Sequence, residues 1–140
     1  MKLIFIIFTL ISLKSCAQTE NAVITYDAET RGFYYHVVLN KENLMVQKTR
    51  TAQTGTEIKL TEAQWDEIEG MLKKIDVSQM ENLKADSSKS MVDAAAMATL
   101  KVKLPNENIH SCSFDHGNPP KELEQLVNTI LTLSETVEKQ

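Results

Sequence analysis

Two stretches whose side chains alternate between a mainly apolar and a mainly polar face, residues 33–40 and 96–104, constrain the fold of this chain more than any other feature. Successive side chains of a β-strand point to opposite faces, so a period of two predicts strands with one buried face. The side chains predicted to point inward are Phe33, Tyr35, Val37 and Leu39 in the first stretch, and Ala98, Leu100, Val102 and Leu104 in the second. Strands with one buried face favour an antiparallel sheet that is covered on one side.

Two amphipathic helices are predicted to supply that cover. The first begins with the capping box Thr61-Glu62-Ala63-Gln64, places Lys73 and Lys74 in its last turn, and carries an apolar stripe at helical spacing. The second follows Pro119-Pro120, because proline suits the first turn of a helix. The two stripes consist of Trp65, Ile68, Leu72 and Ile75, and of Leu123, Leu126, Val127, Ile130, Leu131 and Val137.

Shorter segments complete the predicted fold. Strands are expected at residues 23–27, 44–51 and 109–115, with a further edge segment at 56–60, and a long loop at 76–92 carries Met80 and Leu83 inward. The order β-β-β-α-β-β-α predicts an α+β fold, with an antiparallel sheet of about five strands and two amphipathic helices packed on one face. Residues 23–140 contain no repeat or linker and are expected to form a single domain.

The N-terminus has the pattern of an export signal. Lys2 precedes the apolar run Leu3–Leu13, whose 11 residues fall short of the ~20 that span a bilayer. The next residues, Leu13-Lys14-Ser15-Cys16, resemble the lipobox of bacterial lipoproteins, from whose strict form Lys14 departs. The resemblance implies a signal peptide at 1–15, fatty-acid (palmitate) attachment to Cys16, and a short tether over 16–22. It also implies a protein anchored to a bacterial membrane, with the outer membrane and a domain facing the periplasm as the expected location.

Composition excludes other classes of function. The net charge of −4 provides no basic patch for nucleic acid, which is therefore not an expected partner. Phosphate-binding loops, nucleophile elbows and paired-cysteine motifs are all missing from the sequence, so no cofactor is expected. With Cys16 used for lipid, Cys112 is left alone and no internal disulfide is expected.

One short segment carries groups with chemical potential. His110, Cys112, Phe114 and His116 share a face if residues 109–116 are extended, so two imidazoles and a thiol are weak candidates for a metal site. A nucleophilic pair of Cys112 with His36, His110 or His116 is a second interpretation. The alternative favoured by the pattern is that Cys112 and Phe114 are core residues and that His116 lies in the following turn. No catalytic residue is assigned, and the chain is expected not to be an enzyme.

Candidate binding residues lie on the outward faces of the two alternating strands. Tyr34 is the aromatic residue left outside when Phe33 and Tyr35 are in the core, and Arg31 beside it could bind an anion. The outward row Met97, Thr99, Lys101 and Lys103, with the loop at 76–92, is the other candidate surface. Asp93, before three alanines, is expected to hydrogen-bond a turn.

Four segments of the chain resemble a family of small uncharacterised envelope proteins of Gram-negative bacteria, many of them lipoproteins. These segments are Arg31-Gly32-Phe33-Tyr34-Tyr35, Leu60-Thr61-Glu62-Ala63-Gln64-Trp65, Asp93-Ala94-Ala95, and Phe114-Asp115-His116-Gly117-Asn118-Pro119-Pro120. The resemblance covers residues 23–135 and implies fold and location, but no activity. Two functions remain open: a non-catalytic binding or scaffolding lipoprotein with an envelope protein or peptide as partner, and a small thiol- or metal-dependent enzyme that uses Cys112.

Overall fold

A computed structural model describes residues 19–85 and 96–137. Their helices and strands are β1 (Val23–Glu29), β2 (Tyr34–Leu39), β3 (Asn43–Gln47), β4 (Thr56–Lys59), α1 (Glu62–Leu72), a 3-10 helix (Val77–Asn82), β5 (Met97–Lys103), β6 (Ile109–Asp115) and α2 (Glu124–Val137).

The six strands form one antiparallel sheet in the order β4-β3-β2-β1-β5-β6. The α+β class with an antiparallel sheet is therefore confirmed, but the predicted count of about five strands is one too low. The sixth strand is β4, which forms in the edge segment expected at 56–60; only its Ile58 packs against the core, so it lacks the alternation of a half-buried strand. Gly55 leads into β4 so close to β3 that a Cβ atom there would lie 2.6 Å from the carbonyl oxygen of Val46.

One face of the sheet carries the core. Alternate residues are buried along β1, β2, β3 and β5, as the period of two predicts. The helical residues buried in the same cluster include Trp65, Ile68 and Leu72 of α1, and Leu126, Val127 and Ile130 of α2. Contacts join α2 to β3, to β4 and to α1. A buried hydrogen bond of 2.5 Å between the hydroxyl groups of Tyr35 and Ser134 fixes α2 over the sheet.

Both helices differ from their predicted bounds. The capping box at the start of α1 is confirmed, since the backbone N–H groups of Gln64 and Thr61 each donate to the other's side chain. However, α1 ends at Leu72, so Lys73 is its C-cap and Ile75 lies beyond it. Helix α2 begins at Glu124, because a turn over residues 121–123 follows Pro120.

The connection from β4 to β5 crosses the core side of the sheet. Its 3-10 helix contacts β6 and buries Met80 completely, while Leu83 packs against the core from the segment that follows. The inward positions predicted for Met80 and Leu83 are thus confirmed. The rest of the predicted loop, residues 86–92, and Asp93 lie outside the described residues.

The residues before β1 are folded onto the domain. Thr19–Ala22 form a turn in which the N–H of Ala22 donates to the carbonyl of Thr19, and Ala22 is 0% exposed. The Thr19 hydroxyl donates to Glu69 of α1 over 2.6 Å, and Lys41 donates to Glu20 over 2.5 Å. Residues 19–22 of the predicted tether therefore have fixed positions beside α1 and the β2–β3 turn.

The antiparallel order gives the sheet two distinct ends. One end holds the start of β1, the β2–β3 turn at 40–42 and the β5–β6 turn at 104–108; we call it the leading end. The far end holds the β1–β2 turn at 30–33, the β3–β4 loop at 48–55 and the end of β6.

Candidate functional site

The second face of the sheet, which we call the open face, lies opposite the core. Its side chains are half-buried or exposed where their neighbours along each strand are buried. Strand register places them in rows across β2, β1 and β5. One row is Tyr34, Glu29 and Met97, and the next is His36, Asp27 and Thr99. Cross-strand neighbours in such rows are ~5 Å apart, close enough for side chains to interact.

Asp27 is the centre of the polar contacts on this face. Its Oδ2 accepts a hydrogen bond of 2.8 Å from Lys101 Nζ, and its Oδ1 pairs with Nδ1 of His36. Partial burial favours the neutral acid, but the hydrogen bonds and charges of Lys101 and His36 outweigh it, so the pKa of Asp27 lies below its usual value. Asp27 is therefore a carboxylate at neutral pH.

The orientation of His36 follows from that pairing. A carboxylate only accepts hydrogen bonds, so Nδ1 of His36 carries the hydrogen and donates it to Asp27. The ring of His36 stacks on that of Tyr34 with centroids 6.4 Å apart and an interplanar angle of 24°. The hydrogen bond and the stack together hold the imidazole in one position.

Arg50 is the last member of the polar cluster and lies at the far end of the sheet. It extends from the β3–β4 loop, where its guanidinium carbon lies 5.7 Å from the centre of the Tyr34 ring. One guanidinium nitrogen donates to Glu29 over 3.0 Å. A cation over an aromatic ring and a paired carboxylate each stabilise such an arrangement modestly at an exposed site.

A cleft of about 390 Å³ opens beside these groups at the far end of the open face. Its floor and walls are formed by Asp27, Ala28, Glu29, Tyr34, Tyr35, Met97, Thr99 and Lys101. Met97 is 55% exposed and provides an apolar patch, and the Thr99 hydroxyl pairs with that of Ser113 over 2.9 Å. The cleft thus combines an aromatic ring, a flexible apolar side chain, hydroxyl groups and fixed charges of both signs.

The His36–Asp27 pair resembles the base and orienting residue of a nucleophilic site, which also needs a nucleophile within hydrogen-bond reach of the imidazole. The hydroxyl group in the same cross-strand row as His36 is that of Thr99, on β5. Because β1 separates β2 from β5, Thr99 is two strand spacings from His36, about 10 Å.

The structure brings together three of the four predicted binding residues. Tyr34, Thr99 and Lys101 line the cleft, whereas Arg31 is exposed in the β1–β2 turn and is not among its lining residues. Phe33, predicted to point into the core, precedes β2 and is 40% exposed, with its ring 5.3 Å from that of His116. Phe33 lies in the β1–β2 turn, where side chains do not alternate between two faces as they do along a strand. This explains why it is exposed instead of buried.

Sequence reasoning missed Asp27, His36 and Glu29 as members of the site. The signal that could have found them is the short β1–β2 turn, because a hairpin around residues 30–33 fixes Glu29 opposite Tyr34 and Asp27 opposite His36. No comparable sequence pattern predicts that Arg50 belongs to the site, because its position depends on the path of the β3–β4 loop.

Cys112 and the neighbouring histidines have separate surroundings. Cys112 is 4% exposed, with its Sγ 3.8 Å from the carbonyl oxygen of Leu83; burial, and then the nearby Glu122, raise the pKa of its thiol. His110 lies 4.0 Å from Glu107. Over residues 19–85 and 96–137, no three histidine, cysteine or acidic side chains are grouped as a metal ion would require. A raised pKa is typical of an inert core thiol.

His116 belongs to an aromatic cluster on the core side. It lies in the turn after β6, where its Nδ1 is 2.7 Å from the hydroxyl of the buried Tyr26 and its ring is 5.9 Å from the ring of Tyr26. Burial lowers the pKa of His116 and raises that of Tyr26, so both are neutral at pH 7. The pair closes the far end of the core.

Cys16, the predicted lipidation site, lies outside the described residues. Among the helices of the described segments, none has the length and apolar character that a membrane crossing requires. No protein-family model matches the chain, and no curated protein matches it in sequence.

Proposed function

We propose that this protein is a lipid-anchored envelope protein whose domain binds an envelope protein or peptide, without catalysis, through the cleft on its open face. The observation that supports the proposal most directly is the cleft itself. Asp27 is paired with His36 and Lys101, and Glu29 with Arg50, so the charged groups that line about 390 Å³ of accessible space are held by partners. Groups held in place before binding lose little conformational entropy when a partner arrives.

The mixed composition of the cleft favours a polypeptide as its ligand. Paired charges and the hydroxyl groups of Thr99 and Ser113 offer donors and acceptors to a backbone and to polar side chains. Tyr34 and Met97 offer apolar contact, and tyrosine and methionine are enriched at protein interfaces. The balance of charges gives no preference for a strongly acidic or basic ligand.

The proposed location rests on the N-terminal sequence. The short apolar run followed by Ser15-Cys16 is typical of an exported lipoprotein, and the resemblance to small envelope proteins agrees with it. Each buried methylene of an acyl chain contributes ~0.8 kcal/mol, so two or three chains on Cys16 anchor the protein stably.

Fatty-acid labelling in the native bacterium tests the anchor. Wild-type protein and Cys112→Ala should be labelled and Cys16→Ala should not, and equal labelling of all three would contradict the anchor.

Site-specific photo-crosslinking tests the binding site. A photoreactive amino acid replaces Thr99 in the cleft or, as a matched control, Asn128 on the exposed side of α2. Irradiation of intact cells should yield one discrete adduct from position 99 and none from position 128. Adding Lys101→Gln should weaken the adduct, whereas Lys121→Gln, an exposed change outside the cleft, should not. The same adducts from both positions, or none from position 99, would contradict the proposal.

A further inference from the structure

We infer that a short tether holds the leading end of the domain against the surface of the bilayer, so that the cleft opens on the side away from the membrane. The inference rests on the proposed lipid anchor at Cys16 and adds to it an orientation and a membrane-facing surface.

The first step is the distance between the anchor and the folded domain. Thr19 is fixed by its hydrogen bond to Glu69, Glu20 by its ion pair with Lys41, and Ala22 by complete burial. Only three peptide units separate the Cα atoms of Cys16 and Thr19, and at ~3.3–3.6 Å for each they extend to about 11 Å at most. The lipid attachment point is therefore confined to the neighbourhood of Thr19.

The second step is the position of the two ends of the sheet. The Glu20–Lys41 pair ties the first described residues to the β2–β3 turn, which belongs to the leading end. From Val23 to Glu29, β1 rises by about 20 Å at ~3.4 Å for each residue. The cleft contains Asp27, Glu29 and the start of β2, all near the far end. The short tether keeps the leading end at the bilayer at every tilt of the domain, whereas the far end meets the bilayer only when the domain lies flat, so the tether favours a cleft directed away from the membrane.

The third step is the chemistry of the leading end. Its exposed side chains carry both signs of charge, namely Lys41, Lys59 and Lys103, and Glu20, Glu42, Glu62 and Glu107. Such a surface tolerates zwitterionic headgroups without strong attraction or repulsion. Ile109, 56% exposed at the start of β6, adds an apolar contact at the same end. The tether attaches the domain to the membrane, and the leading end is compatible with contact to the headgroups.

Depth-dependent fluorescence quenching tests the orientation in the full-length lipidated protein. In a Cys112→Ala background, a dye is attached to Asn108→Cys at the leading end or to Arg31→Cys at the far end, both exposed positions. The protein is placed in phosphatidylcholine vesicles that contain a headgroup-linked spin label. We expect at least threefold stronger quenching of the dye at position 108 than at position 31. Equal quenching, or stronger quenching at position 31, would overturn the inferred orientation.

A variant with a lengthened tether is the matched control that tests whether the short tether causes the orientation of the domain. Twenty Gly/Ser residues inserted after Gln18 give a span of about 25 Å, enough to release the domain from the surface. The difference between the two dyes should then disappear, while fatty-acid labelling persists. A difference that survives the insertion would overturn the tether as its cause. Fatty-acid labelling also separates the two proposals: labelled protein with equal quenching refutes the orientation alone, and unlabelled protein refutes the anchor and the orientation together.

Discussion

Asp27 shows at the scale of a single residue how the open face depends on paired charges. Lys101 and His36 both bind its carboxylate, and they lower its pKa although partial burial acts in the opposite direction. The three side chains come from β1, β2 and β5, so their mutual contacts also fix the relative positions of the strands. The site and the stability of the sheet are therefore coupled through one carboxylate.

Asp27→Asn is expected to lower the free energy of unfolding by about 1 kcal/mol at pH 6, because a charged hydrogen-bonding partner of Lys101 and His36 is lost. A carboxyl with a lowered pKa in the folded state stabilises the protein above its unfolded pKa of about 3.9. That stabilisation is lost as the pH falls through the lower folded value. The difference between variant and wild type in urea unfolding should hence shrink as the pH falls below about 3.9. Asp66→Asn, an exposed control on α1, should show little difference at either pH.

Cys112 is expected to react slowly in the folded protein, because the thiol is buried and its pKa is raised. Its modification by a disulfide reagent is measured in the fragment of residues 17–140, which contains no other cysteine. Addition of denaturing urea should accelerate the reaction by at least a hundredfold. A native thiol that reacts as fast as the unfolded one would contradict the inert interpretation and favour the thiol-dependent enzyme.

At the scale of elements, local patterns predicted most of the secondary structure. Alternation located β2 and β5, and the capping box located the start of α1, because each signal depends on neighbours in the sequence. The edge segment expected at 56–60 is not counted among the five predicted strands, because its pairing with β3, rather than its own pattern, makes β4 a strand. The same limit applies to the site. Tyr34, Thr99 and Lys101 were predicted from strand faces, while Asp27 and His36 meet only through the register between strands.

Thr61→Ala is expected to destabilise the protein by about 1 kcal/mol, since it removes the side-chain acceptor for the N–H of Gln64 at the start of α1. Urea unfolding followed by circular dichroism measures the change. Thr51→Ala, an exposed substitution in the β3–β4 loop, is the matched control and should leave the unfolding midpoint unchanged. Equal midpoints for all three proteins would show that the capping box contributes nothing to stability.

For the molecule as a whole, the turn at residues 19–22 is part of the domain. A fragment that begins at residue 23 loses the Thr19–Glu69 hydrogen bond and the buried Ala22. It should be less stable than a fragment beginning at residue 19 by about 2 kcal/mol, from one charged hydrogen bond and one small buried side chain. Thermal and urea unfolding of the two fragments measure the difference. Identical stabilities would mean that these contacts contribute nothing, and would weaken the argument for a short tether.

The place of β5 between β1 and β6 has a consequence for the order of folding. Strands β1 to β4 are neighbours in sequence and pair through short connections, but β1 also pairs with β5, and Lys101 is 74 residues away from its partner Asp27. Closing such a long loop slows folding. As the exported chain emerges with its N-terminus first, therefore, one edge of β1 stays without its strand partner until the last third of the chain is available. Unpaired strand edges can pair with other chains. The risk of aggregation is therefore greatest in that interval, and a chaperone that covers β1 would act at that stage.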